Sequence, residues 1–273
     1  MLAGCDVSSF QGAPGAWKSA AGDIAWAGVK FTELEPGGTR YVNPDCALDW
    51  AWLKTNSKGR IGYLFGHPSV SAADTVSFFI SELDRVGVED TDAVAIDIET
   101  NDGHVTPLAV SEWTRTVAAD LHTKLDRKPL VYTFRDFAQA GNCDGLDGYP
   151  LWISDPSHAA GKPQVPGPWE TWAIHQYATT GSIDRDTANY ATAAAMFDAL
   201  GKKKPPARKV KHWRVKGPVT FAGSAERHHT TPEQMVAAAK AEHHVYDHRV
   251  QEIIDGKLWH ELLPIGTELF AFE

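Results

Sequence analysis

The residues best placed for chemistry are Asp97 and Glu99. They close the run Asp92-Ala93-Val94-Ala95-Ile96-Asp97-Ile98-Glu99-Thr100, in which Val94, Ile96 and Ile98 alternate with Ala95, Asp97 and Glu99. A β-strand has a side-chain period of two, so the two acids share a face, with Cβ atoms about 6.5–7 Å apart. Two carboxyl groups on one face, at the end of a strand buried on its other face, can hold different pKa values. Acid/base cleavage of a glycosidic bond requires that arrangement. Taken alone, the segment also fits a strand end whose acids are solvated or cap the next helix.

The elements that must position such a pair recur along residues 1–200. Short apolar strands are expected at Leu2–Ser9, Ile24–Glu33, Ile61–Gly66, the Asp97 run, Pro129–Phe134, Leu151–Ser154 and Trp172–Tyr177, with an eighth at Gly181–Asp186. Gln11–Gly15 reads as a loop. Helices are expected at Pro44–Lys54, after the capping box Ser71-Ala72-Ala73-Asp74 with Val76, Phe79 and Leu83 inward, and at Thr106–Leu125 with Pro107 in the first turn. After the fifth strand the helices shorten, and Ala191–Leu200 closes the set. This order predicts an α/β fold, a modified TIM-like (β/α) barrel with reduced helices in its second half. Active sites of such barrels lie at the C-terminal ends of strands. Asp6, Glu33, Asp97, Glu99 and Asp184 all fall at predicted strand ends, and acids from several strands converge across one mouth. Tyr63, Tyr132 and Gln176 lie near strand ends and are candidate substrate contacts. Trp152 and Trp172 read either as platforms for sugar rings or as core.

The chain has 273 residues, 43% hydrophobic and 22% charged, in the range of an ordinary globular protein. Charge is uneven. Residues 202–273 hold 12 Lys and Arg against 9 Asp and Glu, which leaves 14 against 26 in residues 1–201. So acidic a body excludes nucleic acid as its partner. Cys5, Cys46 and Cys143 are too few and too scattered for a disulfide framework or a zinc site. The N-terminus reads as neither signal peptide nor membrane anchor, which predicts synthesis in a cytoplasm and no membrane partner. No dinucleotide-binding glycine motif and no serine nucleophile elbow occurs.

Residues 202–216 read as a basic, proline-containing linker. Residues 217–273 then form a small α+β domain of order β-α-α-β. Its first helix starts at Thr231-Pro232-Glu233-Gln234, and its last strand lies in Gly266–Phe272. The histidines at 228–229 and 243–248 lack finger spacing and read as a polar helix face rather than a metal site.

Residues 1–201 resemble the glycoside hydrolase family 25 lysozymes, muramidases found in phage endolysins and bacterial autolysins. The matching pieces run in order: Asp6-Val7-Ser8-Ser9-Phe10-Gln11-Gly12; Lys30-Phe31-Thr32-Glu33 followed by Tyr41-Val42-Asn43-Pro44; Asp97-Ile98-Glu99; Val131-Tyr132-Thr133; Leu151-Trp152-Ile153; and Trp172-Ala173-Ile174-His175-Gln176-Tyr177. The resemblance implies a barrel short of outer helices in its second half. It also implies hydrolysis of the β-1,4 bond between N-acetylmuramic acid and N-acetylglucosamine of bacterial peptidoglycan, without metal or cofactor. Carried over by motif, Glu99 is the general acid. Asp97 and Asp6 position substrate and stabilise an oxocarbenium-like transition state. Asp184 is the family's last-strand acid, with Asp186 its alternative. Glu33, Tyr63, Tyr132, Trp152 and Gln176 are the expected substrate contacts. The enzyme would meet the wall after release from the host or as part of a virion. A non-catalytic carbohydrate-binding or virion structural protein on the same barrel is the alternative.

Two departures stand out. The family's Thr-Glu-Gly is Thr32-Glu33-Leu34 here, and its Tyr-His-Phe is Tyr63-Leu64-Phe65. The missing imidazole is expected to alter contacts near the site, and His67 to belong to the following loop. The 217–273 domain carries a weak similarity to LysM wall-binding modules, which implies a second wall ligand or a virion partner.

Overall fold

The computed structural model describes residues 1–180, 182–201, 210–214 and 268–272. The chain divides into two units, Met1–Lys203 and Lys204–Glu273. In the first, β1 (Leu2–Val7), β2 (Trp26–Leu34), β4 (Gly59–Phe65), β5 (Ala93–Asp97), β6 (Leu130–Phe134), β7 (Leu151–Ser154), β8 (Ile174–Thr180) and β9 (Ile183–Ala188) pair in one sheet. A β1–β2 pairing closes it into the expected barrel, and β3 (Arg40–Val42) adds a hairpin on β2. From β1 through β8 the barrel strands run parallel. The last strand, β9, runs antiparallel to both its neighbours, β8 and β1. The beginning of β9 therefore lies at the mouth where the other strands end.

The outer layer holds α1 (Pro14–Ala21), α2 (Cys46–Thr55), α3 (Ala72–Val86), α4 (Pro107–Leu125) and α6 (Ala193–Leu200). Between β6 and β7 there is only the short α5 (Arg135–Phe137), which runs into a π-turn, and no helix joins β7 to β8. The second half is thus short of helices, as expected. Local chemistry sets the helix ends. Ser71, Thr106 and Thr192 each accept a bond from the backbone N–H three residues on, satisfying a donor that helix geometry leaves orphaned. Gly87 ends α3 at φ 79°, a left-handed cap that costs glycine little. The sequence reading missed α1, whose Ala13 cap makes no side-chain bond and whose Pro14 and Gly15 look like a turn.

Two apolar layers follow from strand alternation. Cys5, Val29, Phe31, Leu64, Val94, Ile96 and Ile98 face outward against Val76, Phe79, Leu83 and the other helix residues. Trp26, Ile61, Tyr63, Ala93, Ala95, Leu130 and Trp152 fill the interior. Trp152 is its plug. Its ring meets Trp26, Tyr63 and Tyr132 edge-on, at centroid distances of 5.8, 6.4 and 5.5 Å. A Cβ on Gly28 would lie 2.5 Å from this indole, so only glycine fits opposite it. The three cysteines are buried free thiols.

In the second unit, β10 (Val210–Arg214) pairs antiparallel with β11 (Glu268–Phe272). A strand therefore occupies part of the stretch read as linker. The strand at 219–221, the helices at 231–255 and the histidine-rich segments lie outside the described residues.

Candidate active site

A cleft of about 220 Å³ opens at the strand-end mouth of the barrel. Its carboxylates are Asp6, Asp97, Glu99 and Asp184. Each arrives by a different route. Asp6 faces inward between the outward-facing Cys5 and Val7 of β1. Asp97 is the last residue of β5, and Glu99 follows beyond Ile98, whose N–H is held by the Tyr132 carbonyl at 3.0 Å. Asp184 sits near the start of β9, not at its end, and pairs in register with Asp6. The antiparallel closure brings it to the mouth. Asp186, two residues deeper, is 1% exposed and lies under the cleft floor.

The floor is one hydrogen-bonded assembly. Tyr132 and Ser154 hydroxyls donate to Gln176 Oε1 at 3.0 and 2.7 Å, and Gln176 Nε2 donates to Asp6 Oδ2 at 2.8 Å. Trp152 Nε1 donates to Asp186 Oδ1 at 2.9 Å, and Asp186 in turn bonds Asp6. Burial pushes Asp6 up to about 7, and the charge of Asp184 adds to it, while the bonds from Gln176 and Asp186 oppose it. Asp186 is driven well up by burial and then by the charge of Asp6. Two buried carboxyl groups in contact do not both ionise readily.

The upper pair is set differently. Asp97, 9% exposed, is raised well above the usual carboxylate range by burial and by the charge of Glu99. Its Oδ1 is buried without a partner. Glu99 is raised by burial and by Asp184, against the lowering effect of Lys30. No side-chain hydrogen bond contributes to its shift, so among the described residues its carboxyl is free to meet a ligand.

Lys30 was absent from the sequence-derived candidates. It lines the cleft, with its Nζ 2.6 Å from Glu33 Oε2 and 4.7 Å from the Phe65 ring centroid. The pairing of β2 with β4 shifts register between Lys30 and Thr32, a bulge that re-aims side chains at the strand end. The signal in the sequence was a lone cation on the inward face of an apolar strand. Ser8, Phe10, Gln11 and Phe65 also line the cleft and were not anticipated.

Other expected residues fall elsewhere or differently. Glu33 does not line the cleft. Its oxygens are taken by Lys30 and by His67 Nε2 at 2.8 Å, and these bonds outweigh burial and hold its carboxyl low. Tyr63, Tyr132 and Gln176 line the cleft. Trp152 touches it, but at 1% exposure it has no face free for a sugar. Trp172 packs on His175 and the core instead. Leu64 is 0% exposed and faces the helix layer, whereas Tyr63 and Phe65 line the cleft. A histidine at position 64 would point away from the site, so its absence removes nothing from the cleft. Among the described residues no group of His, Cys, Asp and Glu is arranged to hold a metal ion, and no helix is long and apolar enough to cross a membrane.

Solved structures of similar fold include a bacterial lysozyme from Streptomyces coelicolor. It is 22% identical, with a TM-score of 0.61 over 73% of this chain and 96% of that one. A muramidase from Acremonium alcalophilum is 21% identical, with a TM-score of 0.63 over 72% and 99%. The endolysin CTP1L is 17% identical, with a TM-score of 0.52 over 69% and 67%. No curated protein matches by sequence. The family model described as glycosyl hydrolases family 25 matches residues 5–186, two-thirds of the sequence, and spans Asp6, Asp97, Glu99 and Asp184. The chain belongs to glycosyl hydrolases family 25.

Proposed function

We propose that this glycoside hydrolase is a muramidase, cleaving the β-1,4 bond between N-acetylmuramic acid and N-acetylglucosamine of peptidoglycan. The observation that carries the reading is Glu99, a carboxyl with a raised pKa and no protein hydrogen bond, in a cleft shared with three further carboxylates. A protonated Glu99 gives its proton to the glycosidic oxygen as the bond breaks. Asp97, Asp6 and Asp184 face the positive charge that develops on the sugar ring. The floor assembly fixes Asp6 before substrate arrives, so little reorganisation accompanies the reaction. The test is incubation of purified walls with the full chain, reading turbidity and reducing ends together. A muramidase lowers the first and raises the second. Clearing without new reducing ends would mean that a peptide or amide bond is cut, and the reading would fail.

Lys30 sets the upper pH limit. A general acid works while protonated, so activity falls as pH rises through the Glu99 pKa. Lys30 lowers that pKa. Lys30→Met should move the alkaline limb of kcat/KM upward in pH, and an unmoved or lowered limb would exclude this role for the ammonium.

Phe10 supplies a rim platform. It is 91% exposed yet lines the cleft, in a loop fastened by Gln11 to Ser8 and to the Ser182 carbonyl, and by Tyr41 to Ser9. An aromatic held out in water over a cleft suits the apolar face of a pyranose. Phe10→Ala should raise KM on glycan strands about 3–10-fold with kcat retained, and Phe10→Trp should restore it.

The similarity in fold to an endolysin supports action on the wall after release from the host or from a virion. Residues 204–273 are read as the wall-binding or virion-attachment part of such an enzyme. The charge balance of residues 202–273, 12 Lys and Arg against 9 Asp and Glu where residues 1–201 are acidic, supports a separate ligand.

A further inference from the structure

We infer that His67 is a positioning residue of this site, a strut that fixes Lys30 and the Glu99 loop relative to one another. The inference rests on the muramidase reading for its kinetic consequence and on geometry for its existence. His67 lies in the loop that follows β4. Its Nε2 is 2.8 Å from Glu33 Oε1, near the end of β2, and its Nδ1 is 2.8 Å from Asp102 Oδ2, three residues after Glu99. One imidazole thus ties the end of β2 to the loops that leave its neighbours β4 and β5.

Both ends of the strut lead to the cleft. On one side, Glu33 Oε2 holds the Lys30 ammonium at 2.6 Å. A lysine on its four-carbon stem has many rotamers, and a carboxylate gripped from its far side reduces them to one. On the other side, Asp102 also accepts from Ser69 Oγ at 3.0 Å, while its Oδ1 is buried and unpartnered. Without His67 that carboxylate keeps Ser69 alone. The Glu99 loop is closed behind it by Asn101, whose side chain both donates to and accepts from the Val105 backbone, at 2.7 and 3.0 Å. The loop therefore moves as a unit, and His67 is what holds that unit against β2. The His67 ring also packs on Phe65, a cleft residue, at 5.1 Å.

The strut is largely buried, with the His67 side chain 11% exposed and those of Glu33 and Asp102 20% and 21%. Losing these hydrogen bonds costs some stability. For catalysis their contribution is placement, and a misplacement of about 1 Å at a reacting centre can cost about 100-fold in rate.

The test uses the full chain and two readouts. With soluble glycan strands, at a temperature where circular dichroism shows every variant folded, His67→Ala should lower kcat about 10–100-fold, with KM within about twofold. Asp102→Asn, which keeps an acceptor oxygen for the imidazole, should retain activity within about threefold. His67→Ala combined with Asp102→Ala should be no worse than the worse single variant, because both break one strut. Independently of turnover, carbon-13 NMR titration follows the Glu99 carboxyl, whose charged neighbours are Lys30, Asp184, Asp97 and Asp6. Its midpoint should rise in His67→Ala as the ammonium leaves its seat. Unchanged kcat, a loss confined to KM, additive double-variant losses or an unmoved Glu99 midpoint each overturn the strut. A wild-type chain that releases no reducing ends overturns the muramidase reading instead, and the titration still decides the strut.

Discussion

Replacing Glu99 with glutamine should lower kcat on peptidoglycan by about 10²–10⁴-fold, the range that a positioned general acid contributes, with KM changed by less than about twofold. Gln matches Glu in shape but has no carboxyl proton to give. Glu99 makes no side-chain hydrogen bond that the substitution would break, so fold and binding should survive it. The loss belongs to the transition state alone, which is why kcat and kcat/KM should fall together. Steady-state kinetics on defined glycan strands, with circular dichroism as the control for folding, measure this. A Gln variant as active as the wild type would remove Glu99 from the proton-donating role.

Trp152→Ala should destabilise the barrel unit by about 3–5 kcal/mol, the usual cost of emptying a large aromatic from a packed interior. For a unit of about 200 residues that is a drop of roughly 6–20 °C in melting temperature. The indole is 1% exposed, contacts three aromatic rings and donates to Asp186. Trp152→Phe should keep much of the packing but lose the bond to Asp186, so its stability should be intermediate and its activity reduced through Asp6. Scanning calorimetry of the three proteins separates core plug from sugar platform. A platform would lose KM with its melting temperature intact.

The legible part of the molecule was local. The β5 pattern, the α3 and α4 caps and the apolar strand ends all express periods of two or 3.6 within about ten residues, and so could be read directly. The inward face shared by Asp97 and Glu99 followed from that period. Asp184 was placed at a strand end, but the sequence does not carry the direction of a closing strand. Only the pairing of β9 with both neighbours shows that its start, not its end, meets the mouth. The hairpin strand β3 is three residues long and partly exposed, too short to show an alternation. Lys30 alternates inward between Val29 and Phe31 and was legible as a lone cation on that face, but the register shift after it, which re-aims the strand end, was not. Glu33 had the right type and place, but its oxygens are spent on Lys30 and His67. The interior position of Trp152 could not be told from a platform, because inward-facing residues of a barrel include both floor and core. The Asp6–Asp186 contact joins opposite ends of the unit, beyond any spacing rule.

The most direct test of the muramidase assignment is mass analysis of the fragments released from defined peptidoglycan, after reduction of their new ends. Cleavage by Glu99 as proposed leaves N-acetylmuramic acid at every new reducing end, and Glu99→Gln leaves the strands intact. Reducing ends on N-acetylglucosamine, or equal release by the Gln variant, would contradict it.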